Sequence, residues 1–131
     1  MSDLINSPKH YTAHASGVEA IEICSCLDFV TGNAVKYLFR VGLKDPVLQD
    51  LRKSAWYLRR AHEKSNGRSS VFPDQEAVVK GIALVYEVTK AEPEGSVLRD
   101  VLQHLMLADM PRIDLALARV EREIERVQEG R

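Results

Sequence analysis

Thr31-Gly32-Asn33-Ala34-Val35-Lys36-Tyr37-Leu38-Phe39-Arg40-Val41-Gly42-Leu43-Lys44-Asp45-Pro46 reads as a helix, a stop and a restart. The spacing predicts a helix over 31–41, capped by Thr31 and ended by Gly42 as the left-handed residue beyond its last turn. Val35, Leu38 and Phe39 mark its buried side. Asn33, Lys36, Tyr37 and Arg40 stand at i, i+3, i+4 and i+7, so they share the opposite face. Asp45-Pro46 then opens a further helix, with Asp as cap and Pro as first helical residue. That helix is expected to run to about Lys64 on an apolar stripe of Leu48, Leu51, Ala55 and Leu58. The turn between the two is short, so they are expected to pack antiparallel.

Working outward, residues 1–16 have no period, and Ser7-Pro8 breaks any early helix. Gly17 to Leu27 reads as a short helix with Ser16 as its cap and Glu19 closing a capping box. Downstream, 65–73 is a turn-rich linker. Three more helices are expected after it. The first follows Pro73-Asp74 to about Lys90, with Val78, Ile82, Val85 and Val88 inward. The second opens at Ser96 with Val97, Leu98, Val101, Leu102 and Leu105. The third follows Asp109-Met110-Pro111 and carries Ile113, Leu117, Val120, Ile124 and Val127 as a narrow seam flanked by charge. That seam serves either to close the bundle or to pair copies of the chain into a homo-oligomer. The expected fold is all-α: a small bundle of about six helices behind an irregular N-terminal arm. Residues 1–64 hold the arm and three helices, and 74–131 hold three helices packed on them as one domain.

A length of 131 residues with 45% hydrophobic and 28% charged residues suits one ordinary core without staples. No apolar run approaches the roughly 20 residues that span a bilayer, so no membrane role is expected. The two cysteines, Cys24 and Cys26, are poorly placed to bridge one another. They are read as semi-buried thiols of a cytoplasmic protein. Charge is uneven: residues 33–68 carry nine Lys or Arg against three Asp or Glu. Such a block attracts phosphate, whether of a small nucleotide or of nucleic acid. Trp56 is read as a core residue, and His14, like His10, as a surface histidine.

The polar face of the 31–41 helix is unusual for a solvated surface, because it holds an amide, a phenol and two cations but no carboxylate. Such a set donates many hydrogen bonds to an anion, and arginine can grip phosphate through two parallel bonds. The next helix repeats the arrangement with Asp50, Lys53 and Tyr57 at i, i+3 and i+7, opposite its apolar stripe. Lys44 lies at the mouth of the groove between them. No phosphate loop, nucleophile elbow or zinc-type cluster occurs. Glu19, Glu22 and Asp50 are candidate ligands for Mg²⁺, which needs only one or two carboxylates beside substrate phosphates.

At these residues the chain resembles a known family. The pieces Asn6-Ser7-Pro8-Lys9-His10-Tyr11, Gly17-Val18-Glu19-Ala20-Ile21, Phe29 to Arg40, Gly42-Leu43-Lys44-Asp45 and Asp50 to Leu58 resemble the SaV-like phage family, domain of unknown function 3310. Residues 69–131 resemble nothing identifiable. The resemblance implies a bacteriophage protein of the host cytoplasm. It also implies kinship to a nucleotide kinase that phosphorylates deoxynucleoside monophosphates without a phosphate loop. It carries a nucleotide site over to His10, Tyr11, Glu19, Asn33, Lys36, Tyr37, Arg40, Lys44, Asp50, Lys53 and Tyr57. Under that implication Mg²⁺ and ATP are the cofactors, Glu19, Asp50 and His10 are catalytic, and Glu19 and Asp50 hold the metal. The alternatives are a binder of a nucleotide or signal nucleotide without chemistry, a nucleic-acid-binding module, and an interaction protein working through its last helix.

Overall fold

Asp28, not Thr31, starts the helix from which the sequence was read. In the computed structural model, which describes residues 14–65 and 70–130, the Asp28 carboxylate accepts the Thr31 amide at 2.8 Å and its hydroxyl at 3.1 Å. A carboxylate three residues upstream of Thr31 satisfies the helix's free donors directly. The first turn therefore forms two residues earlier than expected.

The helices are α1 (Ala20–Cys24), α2 (Phe29–Phe39), α3 (Val47–Ser65), α4 (Gln75–Ala91), α5 (Val97–Met106) and α6 (Ile113–Gln128). The described residues are all-α, as expected. The first helix is shorter than the spacing predicts. Gly17 sits at a φ of +83°, a left-handed conformation no helix continues through. Ser16 therefore folds the turn, its Oγ accepting the Val18 amide at 3.1 Å. Glu19 takes the cap position, and the Glu22 carboxylate accepts its amide at 2.7 Å. Asp45 likewise does not cap α3: its carboxylate is drawn to Arg40, and the Pro46 carbonyl accepts the Gln49 amide at 3.0 Å instead. Gly42 does take the left-handed turn, with φ +79°.

α2 and α3 run antiparallel. Ala34 meets Ser54, whose hydroxyl donates to the Ala34 carbonyl at 2.9 Å, while Arg40 at the far end of α2 meets Asp50 near the start of α3. α3 packs on α2 along one side and on α6 along another. Leu51 and Leu58 of α3, Val85 and Val88 of α4, Val101, Leu102 and Leu105 of α5, and Ile113 and Val120 of α6 belong to one apolar cluster, each nearly or wholly inaccessible. The core thus draws on helices from both sides of the 65–73 linker. The α6 seam serves this intramolecular packing: Leu117, Ile124 and Val127 lie half-buried against the same cluster.

Two glycines set close approaches. A Cβ on Gly32 of α2 would lie 2.9 Å from the Cys24 carbonyl oxygen, and one on Gly81 of α4 would lie 2.8 Å from the Phe72 ring. Trp56 is not in the core; it stands 56% exposed on α3. Among the described residues no helix is long and apolar enough to cross a membrane.

Candidate anion site

The cationic and aromatic side chains of α2 and α3 gather around one ring. The Tyr37 ring lies stacked on that of Tyr57, centroids 5.9 Å apart and planes 15° from parallel. Three cations surround Tyr37: Lys36 Nζ at 4.8 Å, Lys53 Nζ at 5.3 Å and the Arg40 guanidinium carbon at 5.5 Å from its centroid. Trp56 meets the edge of Tyr57 at 5.0 Å and 84°. Cations this close to a ring are held by its negative face. That attraction offsets part of the repulsion that three like charges would otherwise feel.

Arg40 is the inner member of the group. Its Nη2 donates to the Asp45 carboxylate at 2.5 Å, and its Nε faces Asp50 Oδ1 at 3.4 Å. Asp50 is fully buried, so its place opposite the apolar stripe of α3 is a correction: it lies in the α2–α3 interface, not on the open groove. Arg40 Nε and both Asp50 carboxylate oxygens lack a hydrogen-bond partner among the described residues. Burial raises the Asp50 pKa above the usual carboxylate range. The neighbouring Arg40 opposes that rise and Asp45 adds to it. Lys36 and Lys53 form no ion pair with a carboxylate among the described residues, and Lys53 is exposed.

The fold thus brings Lys36, Tyr37, Arg40, Asp50, Lys53 and Tyr57 together. It does not bring in the rest. Asn33 turns its amide back along its own helix, donating to the Phe29 carbonyl at 2.8 Å. Lys44 stands exposed in the turn. His10 and Tyr11 lie outside the described residues. The expected metal set is not assembled: among the described residues no group of three or more His, Cys, Asp or Glu comes together to hold an ion. Glu19 and Glu22 are occupied in starting α1, and Asp50 is enclosed beside Arg40. The thiols are as expected, free and at least half-buried, and burial pushes Cys24 up to about 12.

Sequence reasoning missed two charged clusters. His14, read as a surface histidine, is largely enclosed. Its Nε2 lies 3.0 Å from the Glu92 carboxylate, and its Nδ1 accepts the Ser16 amide at 3.1 Å. The ring also meets the Phe39 edge at 5.5 Å, so it pins the approach to α1 against the α4–α5 turn. Pairing across 78 residues leaves no local spacing signal. The second cluster centres on Arg119, which donates to Asp100 at 2.7 Å, Glu123 at 2.9 Å and the Gly95 carbonyl at 2.9 Å. Burial works against its charge, but its hydrogen bonds to Asp100 and Glu123 outweigh that and raise its pKa. The Arg119/Glu123 pair at i, i+4 was the available clue.

Residues 5–59 match the family model described as a protein of unknown function (DUF3310). This stretch contains every member of the Tyr37 cluster. No curated protein and no solved structure matches the chain.

Proposed function

We propose that the α2–α3 face binds a nucleotide, holding its phosphate with Lys36 and Lys53 and its base against the Tyr37–Tyr57–Trp56 aromatics. The observation that carries this reading is the Tyr37 ring within 6 Å of three cations, two of which have no carboxylate partner among the described residues. A purely structural surface would scatter acidic groups among such cations, since unrelieved like charge destabilises it. An anion relieves the repulsion, and stacking on tyrosine and tryptophan supplies affinity that phosphate alone lacks. Arg40 acts from behind, fixed by Asp45 and Asp50, and sets the local potential.

Binding without chemistry is the better supported form. Of the carboxylates expected to hold Mg²⁺ or take a proton, Asp50 is enclosed in an interface, and Glu19 stands at the start of α1, its backbone amide donating to Glu22. A (deoxy)nucleoside monophosphate kinase using ATP and Mg²⁺ needs such a group in reach of substrate. The test is calorimetric titration with deoxynucleoside monophosphates, nucleoside triphosphates and inorganic phosphate, each with and without Mg²⁺. Lys36→Ala combined with Lys53→Ala is expected to weaken nucleotide binding at least about 10-fold, since hydrogen bonds to charged groups contribute roughly 1.5–3 kcal/mol. Lys53 is exposed and Lys36 half-buried, and circular dichroism of the double variant checks that its helices are kept. Unchanged affinity in the double variant rejects the site. Phosphoryl transfer from ATP to a monophosphate by the wild-type protein rejects the non-catalytic form.

A further inference from the structure

We infer that the nucleotide site continues along the outer face of α3 and that its physiological occupant is single-stranded nucleic acid, a step that rests on the nucleotide reading above. From Leu51 to His62, α3 carries Arg52, Lys53, Arg59 and Arg60 and no Asp or Glu. Gln49, Arg52, Lys53, Trp56, Arg59, Arg60 and Glu63 fall on one side of the helix at three- and four-residue steps, and all seven are exposed. Trp56 stands at the centre of this face, with Arg52 and Lys53 one turn before it and Arg60 one turn after. Only Glu63, at the far end, is acidic.

The partners of these cations decide the direction of the track. Arg59 pairs with Glu121 of α6 at 3.4 Å. Arg52 and Arg59 line a cleft of about 560 Å³ together with Glu121 and Glu125, so the side toward α6 is of mixed charge. Toward α2, the face runs from Trp56 onto Tyr57 and Tyr37 with Lys53 and Lys36 alongside. Arg52, Lys53 and Arg60 form no ion pair among the described residues.

Their spacing argues against a mononucleotide as the whole ligand. Arg52 and Arg60 are eight residues apart, about 12 Å along the helix axis. One phosphate cannot engage both ends, whereas successive phosphates of a strand can. A half-exposed tryptophan on an aromatic row offers a second stacking surface beside the Tyr37–Tyr57 pair. Duplex would hide its base faces and leave the row unused, so a single strand is the fitting form.

Trp56 is the only tryptophan in the chain, so its fluorescence reports on this face alone. The test titrates the full-length protein with an oligothymidylate of about eight nucleotides, the matching oligouridylate and thymidine monophosphate, at several salt concentrations. The oligonucleotides are expected to quench Trp56 and to bind at least about 10-fold tighter than the monophosphate. By anisotropy of a labelled strand, Trp56→Ala is expected to weaken oligonucleotide binding by on the order of 10- to 100-fold, the range for one lost base stack. Monophosphate affinity should fall by less, because Tyr37 and Tyr57 still offer a single base a stacking face. Arg60→Ala should lower the slope of log affinity against log salt by about 0.7. Oligonucleotides that bind no tighter than the monophosphate, or a Trp56→Ala variant with unaltered oligonucleotide affinity, overturn the strand while leaving the nucleotide site standing. Failure of both ligand classes removes the nucleotide reading itself. A change of oligomeric state in Trp56→Ala without loss of oligonucleotide binding assigns the face to self-association and also overturns the strand.

Discussion

Two arginines, Arg40 at the end of α2 and Arg119 on α6, are both largely enclosed, yet they sit in opposite conditions. Arg119 is saturated: each guanidinium nitrogen donates, to Asp100, to Glu123 and to the Gly95 carbonyl. Arg40 is not. One nitrogen reaches Asp45, while its Nε and both oxygens of the buried Asp50 have no hydrogen-bond partner among the described residues. In the first arrangement every nitrogen is engaged: Asp100 ties α6 to α5, the Gly95 carbonyl ties it to the turn before α5, and Glu123 braces the side chain within α6. The second leaves a hydrogen-bonding nitrogen without a partner, behind a surface where Lys36 and Lys53 pair with no carboxylate among the described residues. A saturated arginine holds helices together; Arg40 has its charge matched by Asp45 and Asp50, so the charge left for a ligand is that of Lys36 and Lys53, which pair with no carboxylate among the described residues.

The comparison breaks first at Arg40→Ala. Removing the guanidinium leaves Asp50 buried without its nearest cation, and uncompensated buried charge is costly. The variant is expected to lose about 3 kcal/mol of stability at neutral pH by urea denaturation. Adding Asp50→Asn should return a substantial part of that loss. If Arg40→Ala is neutral, Asp50 is not held as an ion by Arg40. The prediction also means that lost nucleotide binding in Arg40→Ala alone says little about direct contact, because the frame of the site shifts with it.

Arg119→Ala comes next, with an expected loss of about 2 kcal/mol. Its acidic partners are nearer to water than Asp50 is, so they are less penalised when left alone. Nucleotide affinity should not change, because the cluster lies on α5 and α6. A variant that keeps its stability but loses nucleotide binding would place the ligand on the wrong side of the molecule.

How much of this contrast can be read from sequence depends on how many faces a helix buries. Helical spacing isolates Lys36, Tyr37 and Arg40 correctly, because α2 shows one polar face and one apolar one. For α3 the same reasoning misplaces Asp50 and Trp56. A single apolar stripe suggests one buried side, but α3 is covered by α2 as well as by α6 and the core. Ser54 and Asp50, at i and i−4, form that second buried side. Ser54 locks onto the Ala34 carbonyl, and Asp50 faces Arg40. Once two sides are taken, the remaining one must expose whatever lies there, including a tryptophan that size alone would send inward. The helix starts fail for a more local reason. Asp28 and Glu19 outcompete the hydroxyl caps at Thr31 and Ser16, and Asp45 is claimed by Arg40 before it can cap α3. The His14–Glu92 and Arg119–Asp100 pairs join distant segments, and only the tertiary fold brings them together.

The smallest effect concerns the ionisation of Asp50. Its carboxyl is raised by burial, against the pull of Arg40. The folded chain therefore keeps the Asp50 proton to a higher pH than the unfolded chain, whose aspartates titrate near about 3.9. Across the window from that value up to the raised one, the folded state binds more protons, so this group makes stability fall as pH rises. Glu123 acts in the opposite sense. Its pKa is lowered, first by the hydrogen bond from Arg126, so its contribution is lost only as pH falls below the ordinary carboxylate range. Comparing Asp50→Asn with wild type at each pH cancels Glu123 and isolates Asp50. The variant is expected to gain on wild type as pH rises above about 4, with a slope no steeper than about 1.4 kcal/mol per pH unit. Chemical denaturation from pH 4 upward measures it. A constant difference would mean that Arg40 fully compensates the burial of Asp50. The two enclosed arginines would then be alike in charge balance, leaving Lys36 and Lys53, which pair with no carboxylate among the described residues, to set the α2–α3 face apart.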